Sequence, residues 1–319
     1  SLHYEISSMR LRPEIGGYVI TELTDVHWEC NGLMTMQRAV KHGLDPILTY
    51  VNQDNVVIIR PQQWSGRPGE RIRVQVRAYG VNGPGQSGII DWCAGGQQGS
   101  LPAPGGVIEV TLAQAGLIPI EATWRSGDAT AAVNRVEVAC VQPAVIAAPL
   151  RVMDNRGLAI ALRHLGYDVA HGAPGKTPTD GEILVATRYS RQMQAAIQQG
   201  ARALLIADEN FALSKDNLRL PAGAIVARED TQWEGDWATS FSWLRKRGPF
   251  AGLPGGPLLE MEYADIMPDA VHAGLPAWAA RSHSWSGLAL GWIHKPVSLL
   301  SVLPYGHGRI AITTFKLNA

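Results

Sequence analysis

Arg71-Ile72-Arg73-Val74-Gln75-Val76-Arg77 sets a charged or amide side chain at each odd position and an apolar, β-branched one at each even position. Period two is the repeat of a β-strand with one wet face and one buried face. Strand-like runs recur on both sides of it: Asn55–Arg60, Gly88–Cys93, Gly106–Leu112, Leu117–Arg125 and Ala131–Val141. Between them lie turn residues: Gly66-Arg67-Pro68-Gly69, Gly83-Pro84-Gly85, Pro102 to Gly106, and Ser126-Gly127-Asp128. Gly supplies positive φ and Pro presets a turn, so these are breaks with a mechanism. Six or seven short strands in roughly 90 residues predict an immunoglobulin-like β-sandwich over residues 51–143.

Beyond residue 143 the period changes. Leu158-Ala159-Ile160-Ala161-Leu162 suits a helix that stops at Gly166 and runs into Tyr167-Asp168-Val169. Glu182–Ala186 reads as a strand, Ser190–Gln199 as a helix closed by Gly200, and Ala203–Ala207 and Ala224–Ala227 as apolar strands. Arg309–Thr314 reads as a final strand. This β-α-β alternation predicts an α/β domain over 144–319, a parallel sheet covered by helices in a doubly wound, flavodoxin-like arrangement.

On the other side, residues 1–50 read as a helix ended by Pro13, a buried strand Tyr18–Leu23, a polar loop, and a short helix from Met34 to His42. One strand between two helices is a fragment of an α/β architecture, because a lone strand cannot satisfy its own edges. Such a strand is expected to dock elsewhere or to drive homo-oligomer formation, through this remnant or through the α/β domain.

Composition narrows the classes of function. Of 319 residues, 28 are Lys or Arg and 28 are Asp or Glu, so the formal net charge of zero offers no electrostatic case for a nucleic-acid partner. No run of about 18 apolar residues is present, so no membrane-spanning helix is expected. Three cysteines, Cys30, Cys93 and Cys140, make neither a disulfide framework nor a metal-ligand spacing. Cys93 and Cys140 are read as two buried thiols. The histidines show no ligand spacing, so neither a metal nor a cofactor is expected. The residues assign no compartment. Ten tryptophans against four phenylalanines suit either sugar stacking or ordinary core filling.

Motifs that carry chemistry are few. Ala170 to Thr177 fits a permissive phosphate-loop pattern, but Pro178 and Asp180-Gly181 follow where a helix should start, and it reads as an exposed loop. No Gly-x-Ser-x-Gly elbow occurs, and residues 144–319 contain no cysteine to act as a nucleophile. The densest polar cluster is Glu22, Asp25, His27, Trp28, Glu29 and Asn31, just beyond the apolar run Tyr18–Leu23. Carboxylates beside a Trp at the C-terminal end of a strand suit sugar recognition and acid/base work. A polar surface loop with a capped helix start accounts for them equally well.

Gly17-Tyr18-Val19-Ile20-Thr21-Glu22-Leu23-Thr24-Asp25-Val26-His27-Trp28-Glu29-Cys30-Asn31-Gly32-Leu33 resembles the last barrel strand and following loop of family 2 glycoside hydrolases, the β-galactosidase and β-glucuronidase type. Arg38 and Lys41 fit that family's next run, an Asp-Arg-x-Pro-Lys, while its Asp and Pro are not matched. Met9 to Pro13 resembles the helix before the strand, and Tyr305 to Phe315 the end of some longer members. The resemblance is specific over residues 9–41. It implies a TIM-barrel remnant at 1–50, a carbohydrate substrate, and retaining hydrolysis of β-linked sugars through two glutamates. Both glutamates are expected upstream of Ser1, so the chain is expected to be an inactive C-terminal fragment. By resemblance, Trp28, Glu29 and Asn31 would contact the sugar, with Asp25 and His27 in support. A rival register sets Glu22 in the nucleophile's place; Asn31-Gly32-Leu33 with Arg38 and Lys41 favours the last strand instead.

The alternative is a non-catalytic carbohydrate-binding or oligomerisation module. Trp233, Trp237 and Trp243 would then do the work, the first two sharing a helical face.

Overall fold

The computed structural model describes residues 2–27, 31–41, 44–173, 181–229, 231, 240–290 and 295–316. They fall into two compact units: residues 1–143 with 253–255 and 260–263, and the rest of 144–319.

The first unit begins with helix α1 (Leu2–Arg10) and, after a long irregular segment, helix α2 (Leu44–Val51). Nine strands follow: β1 (Val56–Pro61), β2 (Ser65–Gly66), β3 (Arg71–Gly80), β4 (Gly83–Pro84), β5 (Ile89–Ala94), β6 (Gln97–Pro102), β7 (Gly105–Thr111), β8 (Gly116–Ser126) and β9 (Ala129–Cys140). One sheet has β1 and β7 on either side of β3, with β4 pairing the far end of β3; the other runs β2-β9-β8-β5-β6. This is the strand division of an immunoglobulin-like sandwich. Ile72, Val74, Val76 and Ala78 of β3 point into one core with Ile90, Ile120, Trp124 and Val138 of the opposite sheet, while Arg71 and Arg73 stay exposed. Period two along β3 therefore separates core from solvent as its residues dictate.

Two expectations are corrected in this unit. Tyr18–Leu23 is not a strand: its last two carbonyls accept from the Leu33 and Met34 N–H groups, but it joins no sheet, and Val19 is 89% and Leu23 67% exposed. Among the described residues no partner strand reaches it, and pairing is what turns an apolar run into a strand. Met34 to Lys41 is not a helix; its backbone turns through Thr35–Ala39 and bridges Met34 to Val40. The thiols differ as well: Cys140 is buried but Cys93 is exposed on the outer face of β5, its Sγ 3.8 Å from a Glu121 carboxylate oxygen. Cys30 lies outside the described residues.

The second unit contains β10 (Leu150–Val152), α3 (Arg156–His164), β11 (Val169–His171), β12 (Ile183–Ala186), α4 (Arg191–Gln198), β13 (Arg202–Ile206), α5 (Glu209–Leu213), β14 (Ala224–Ala227), β15 (Ser240–Leu244), β16 (Ala270–Ala273), α6 (Ala277–His283), β17 (Ser284–Leu290), β18 (Lys295–Tyr305) and β19 (Gly308–Thr313). Strands β11-β10-β12-β13-β19 are parallel neighbours in that order. Alternation along them covers both faces: Leu204 and Ile206 pack with α3, Ala203 and Leu205 with α4. Asn155 and Ser190 cap these helices, accepting from the backbone N–H of Leu158 and Met193.

The sheet is nevertheless mixed. Beyond β19 it continues antiparallel through β18, β16 and β14, with β17 and β15 branching from β18. A wholly parallel sheet is thus corrected, and the last strand lies in mid-sheet. Trp243 belongs to β15; Trp233 and Trp237 lie outside the described residues.

His272 is 1% exposed in β16. Its Nε2 lies 2.8 Å from the Ala222 carbonyl, which can only accept, so Nε2 donates and Nδ1 accepts from the Ser301 hydroxyl at 3.0 Å. Burial holds its pKa below the usual histidine value, against the Ala222 hydrogen bond, which raises it. His3, bonded to Asn134 at 2.8 Å in the first unit, is lowered in the same way by burial. A lowered folded pKa means that the unfolded chain binds the proton more tightly, so stability rises with pH. Both contributions are complete above pH about 6.5 and are lost as pH falls toward the folded values. Denaturant midpoints should drop between pH 7.5 and 5.5. His272→Gln should flatten the pH dependence of the second unit's transition and leave that of the first unchanged.

Candidate functional site

The residues singled out between Glu22 and Asn31 lie on an irregular loop that folds back on itself. The Asp25 N–H donates to the Met34 carbonyl at 2.9 Å, and the Leu33 and Met34 N–H groups donate to the carbonyls of Glu22 and Leu23, each at 2.9 Å. Thr24 and Met34 thereby form a parallel bridge. Asp25 is at the centre: its Oδ1 accepts from Lys41 Nζ at 2.7 Å and from the Gly32 N–H at 3.0 Å. The Asp25 carboxylate is 14% exposed and the Lys41 side chain 28%, so the pair is largely withdrawn from water. Gly32 is obligatory here, because a Cβ would fall 2.4 Å from the Asp25 nitrogen.

The structure therefore brings Asp25, Gly32 and Lys41 together as a latch. Asp25 and Lys41 are 16 residues apart, and the bridge overrides the helical propensity of the residues between. Asn31 and His27 are exposed on the same loop. Glu22 is half-buried; its backbone carbonyl is in the ladder, and one carboxylate oxygen is buried with no hydrogen bond. Trp28 and Glu29 lie outside the described residues. Lys41 was visible to sequence reading only as a family-like cation; its role as Asp25's partner needs the folded loop.

Asp25→Ala removes two charge-assisted hydrogen bonds, each worth about 1.5–3 kcal/mol in a folded protein. Amide exchange at Leu33 and Met34 should accelerate about 30-fold, a loss of about 2 kcal/mol of local stability, with the sandwich strands unchanged. Unaltered exchange at these two amides would mean that the latch does not hold the loop.

In the second unit, the doubly wound order points to the C-terminal edge between β10 and β12, where such sheets hold ligands. Asp154 fills it: its carboxylate accepts from the Thr187 N–H at 3.0 Å and the Arg188 N–H at 2.7 Å. Those donors are the ones a phosphate would need. Of the phosphate-loop-like stretch, Ala170 to Ala173 are at the end of β11, and 174–180 lie outside the described residues. Among the described residues, no group of three His, Cys, Asp or Glu side chains could hold a metal ion, and no helix is long and apolar enough to cross a membrane.

No protein-family model matches the chain, and no curated protein matches it. Solved structures overlap parts of it. A family 2 glycosyl hydrolase from Bacteroides cellulosilyticus is 10% identical at a TM-score of 0.20, over 48% of this chain and 24% of that one. A Ruminococcus gnavus β-glucuronidase is 11% identical at 0.19, over 47% and 30%. The N-terminal Ig1-2 module of the Drosophila receptor protein tyrosine phosphatase DLAR is 20% identical at 0.22, over 32% and 61%. The chain covers less than two thirds of each, and overlaps at this TM-score fix neither fold nor activity.

Proposed function

We propose that this chain is part of a retaining β-glycoside hydrolase. In this reading residues 1–50 are the closing segment of its barrel, 51–143 the sandwich that follows, and 144–319 an α/β domain. The observation that carries the reading is the Asp25 latch. Asp25, Gly32 and Lys41 are positions on which the resemblance to family 2 hydrolases rests, and they converge on one carboxylate. The exposed run supports it: Val19 and Leu23 are apolar residues without cover, at a cost of about 25 cal/mol per Å² left in water. The other strands of a barrel would supply that cover. Trp28 would stack on a sugar ring, Glu29 and Asn31 would bond its hydroxyls, and Asp25 and His27 would support the loop. The catalytic glutamates would be contributed by preceding sequence.

The test is turnover of a panel of nitrophenyl β-glycosides. This chain alone should give none, whereas a protein that includes its preceding coding sequence should hydrolyse at least one with retention, and Trp28→Ala should raise KM. Turnover by this chain that Glu22→Gln abolishes would make Glu22 a catalytic group and overturn the placement. A longer protein inert toward every β-glycoside would overturn the hydrolase reading.

A further inference from the structure

A cleft of about 530 Å³ opens in the first unit between the segment after α1 and the β3–β4 turn. Its volume is that of a small-molecule site. Arg10, Arg12, Tyr18, Asp54, Tyr79 and Asn82 line it. Two of these are already engaged: Arg10 donates to the Asp54 backbone carbonyl at 2.9 Å and the Tyr18 hydroxyl to Asn52 Oδ1 at 2.8 Å, which fixes their positions. The side chains of Arg12, Tyr79 and Asn82 make no hydrogen bond among the described residues, and Arg12 is exposed. At Gly16 and Gly17 a Cβ would meet nothing within 4 Å, so the wall they form is bare backbone.

We infer that this cleft binds a carboxylate-bearing saccharide. Two guanidinium groups against one carboxylate give the lining a net positive charge, so an anion is favoured over a neutral sugar. A guanidinium presents a planar fork that matches a carboxylate bidentately. Two tyrosines supply aromatic surface with polar tips, and Asn82 offers both a donor and an acceptor for hydroxyls. The saccharide class rests on the hydrolase reading; the anion rests on the cleft alone. The site is separate from the Asp25 loop and serves to hold substrate rather than to cleave it.

The experiment is an NMR titration of the whole chain with digalacturonate, with galactose and galactose 6-sulfate in parallel. Digalacturonate should shift the amides of Gly16, Gly17 and Val81 saturably. Arg12→Ala should weaken binding at least tenfold, and Tyr79→Phe should weaken it less. Arg12 is exposed, so its loss leaves the fold intact, which the unshifted sandwich amides will show. Galactose binding as tightly as digalacturonate overturns the anion assignment, and galactose 6-sulfate binding equally overturns the carboxylate. No shift at these amides overturns the site and leaves the hydrolase reading, judged by turnover, untouched.

Discussion

Trp124→Ala is expected to lower the stability of the sandwich by about 3–5 kcal/mol, the range for deleting a large aromatic from a packed core. Trp124 is 6% exposed on β8, packed in the core shared by the two sheets. Its indole N–H donates to the Ser87 carbonyl at 3.0 Å, and Gly85 lies so close that a Cβ there would be 2.8 Å from the ring. The chain has shaped itself to this side chain, so the vacated space cannot collapse without moving the turn before β5. For a unit of about 150 residues each kcal/mol moves the melting temperature by about 2–4 °C, so the first unit's transition should fall by about 6–20 °C. Trp124→Phe keeps most of the burial, loses the hydrogen bond, and should cost far less. A fall of only a few degrees for the alanine variant would show that the indole is not a core element.

Gly308→Ala should destabilise the second unit by about 3 kcal/mol, the upper part of the usual range for overpacking. Gly308 opens β19 directly beneath the end of α4. An added Cβ would be 2.2 Å from the Ala201 carbonyl oxygen and 2.4 Å from that of Ile197, both backbone atoms that cannot step aside alone. The neighbouring bonds, His307 N–H to the Gln198 carbonyl at 3.1 Å and Arg309 N–H to the Ala201 carbonyl at 3.2 Å, would be strained with it. Gly200→Ala is the control. Its φ is +114° but a Cβ would meet nothing, so only backbone strain of about 1–2 kcal/mol is added. Equal denaturant midpoints for the two variants would mean that the β18–β19 turn does not pack against α4.

The two substitutions also mark how legible the fold is. The sandwich strands β3, β7, β8 and β9 follow from period-two alternation, β1 and β5 from short apolar runs, and all of them from Gly and Pro turns, because each of these signals is local. The helix α4 with Gly200 closing it, and β12, β13 and β19, follow for the same reason. Strand β6 was not legible. Gln97-Gln98-Gly99-Ser100-Leu101-Pro102 is polar and glycine-bearing, and it becomes a strand because β5 offers it an edge. In the antiparallel half of the second sheet only β14 is legible as a strand: whether β17 and β18 run beside or away from the parallel strands is a matter of which edge is free.

The candidate site divides along the same line. Asp25, Gly32 and Lys41 could be picked out as residue types, but their meeting depends on a loop closed by the Leu33 and Met34 N–H groups. Those bonds, and the ion pair that crosses them, override the helix read from Met34 to His42 and put Arg38 at a positive φ of 64° in the turn. The sequence by itself determined which residues of the alternating strands face a core, where the chain must turn and where α3 and α4 stop, since these depend on neighbours a few residues away. Only the tertiary structure decided strand partners, the exposure of Val19 and Leu23 and the cleft of Arg12 and Tyr79. Each of those depends on groups distant in the chain, and nothing in local periodicity encodes which surface will be there to meet them.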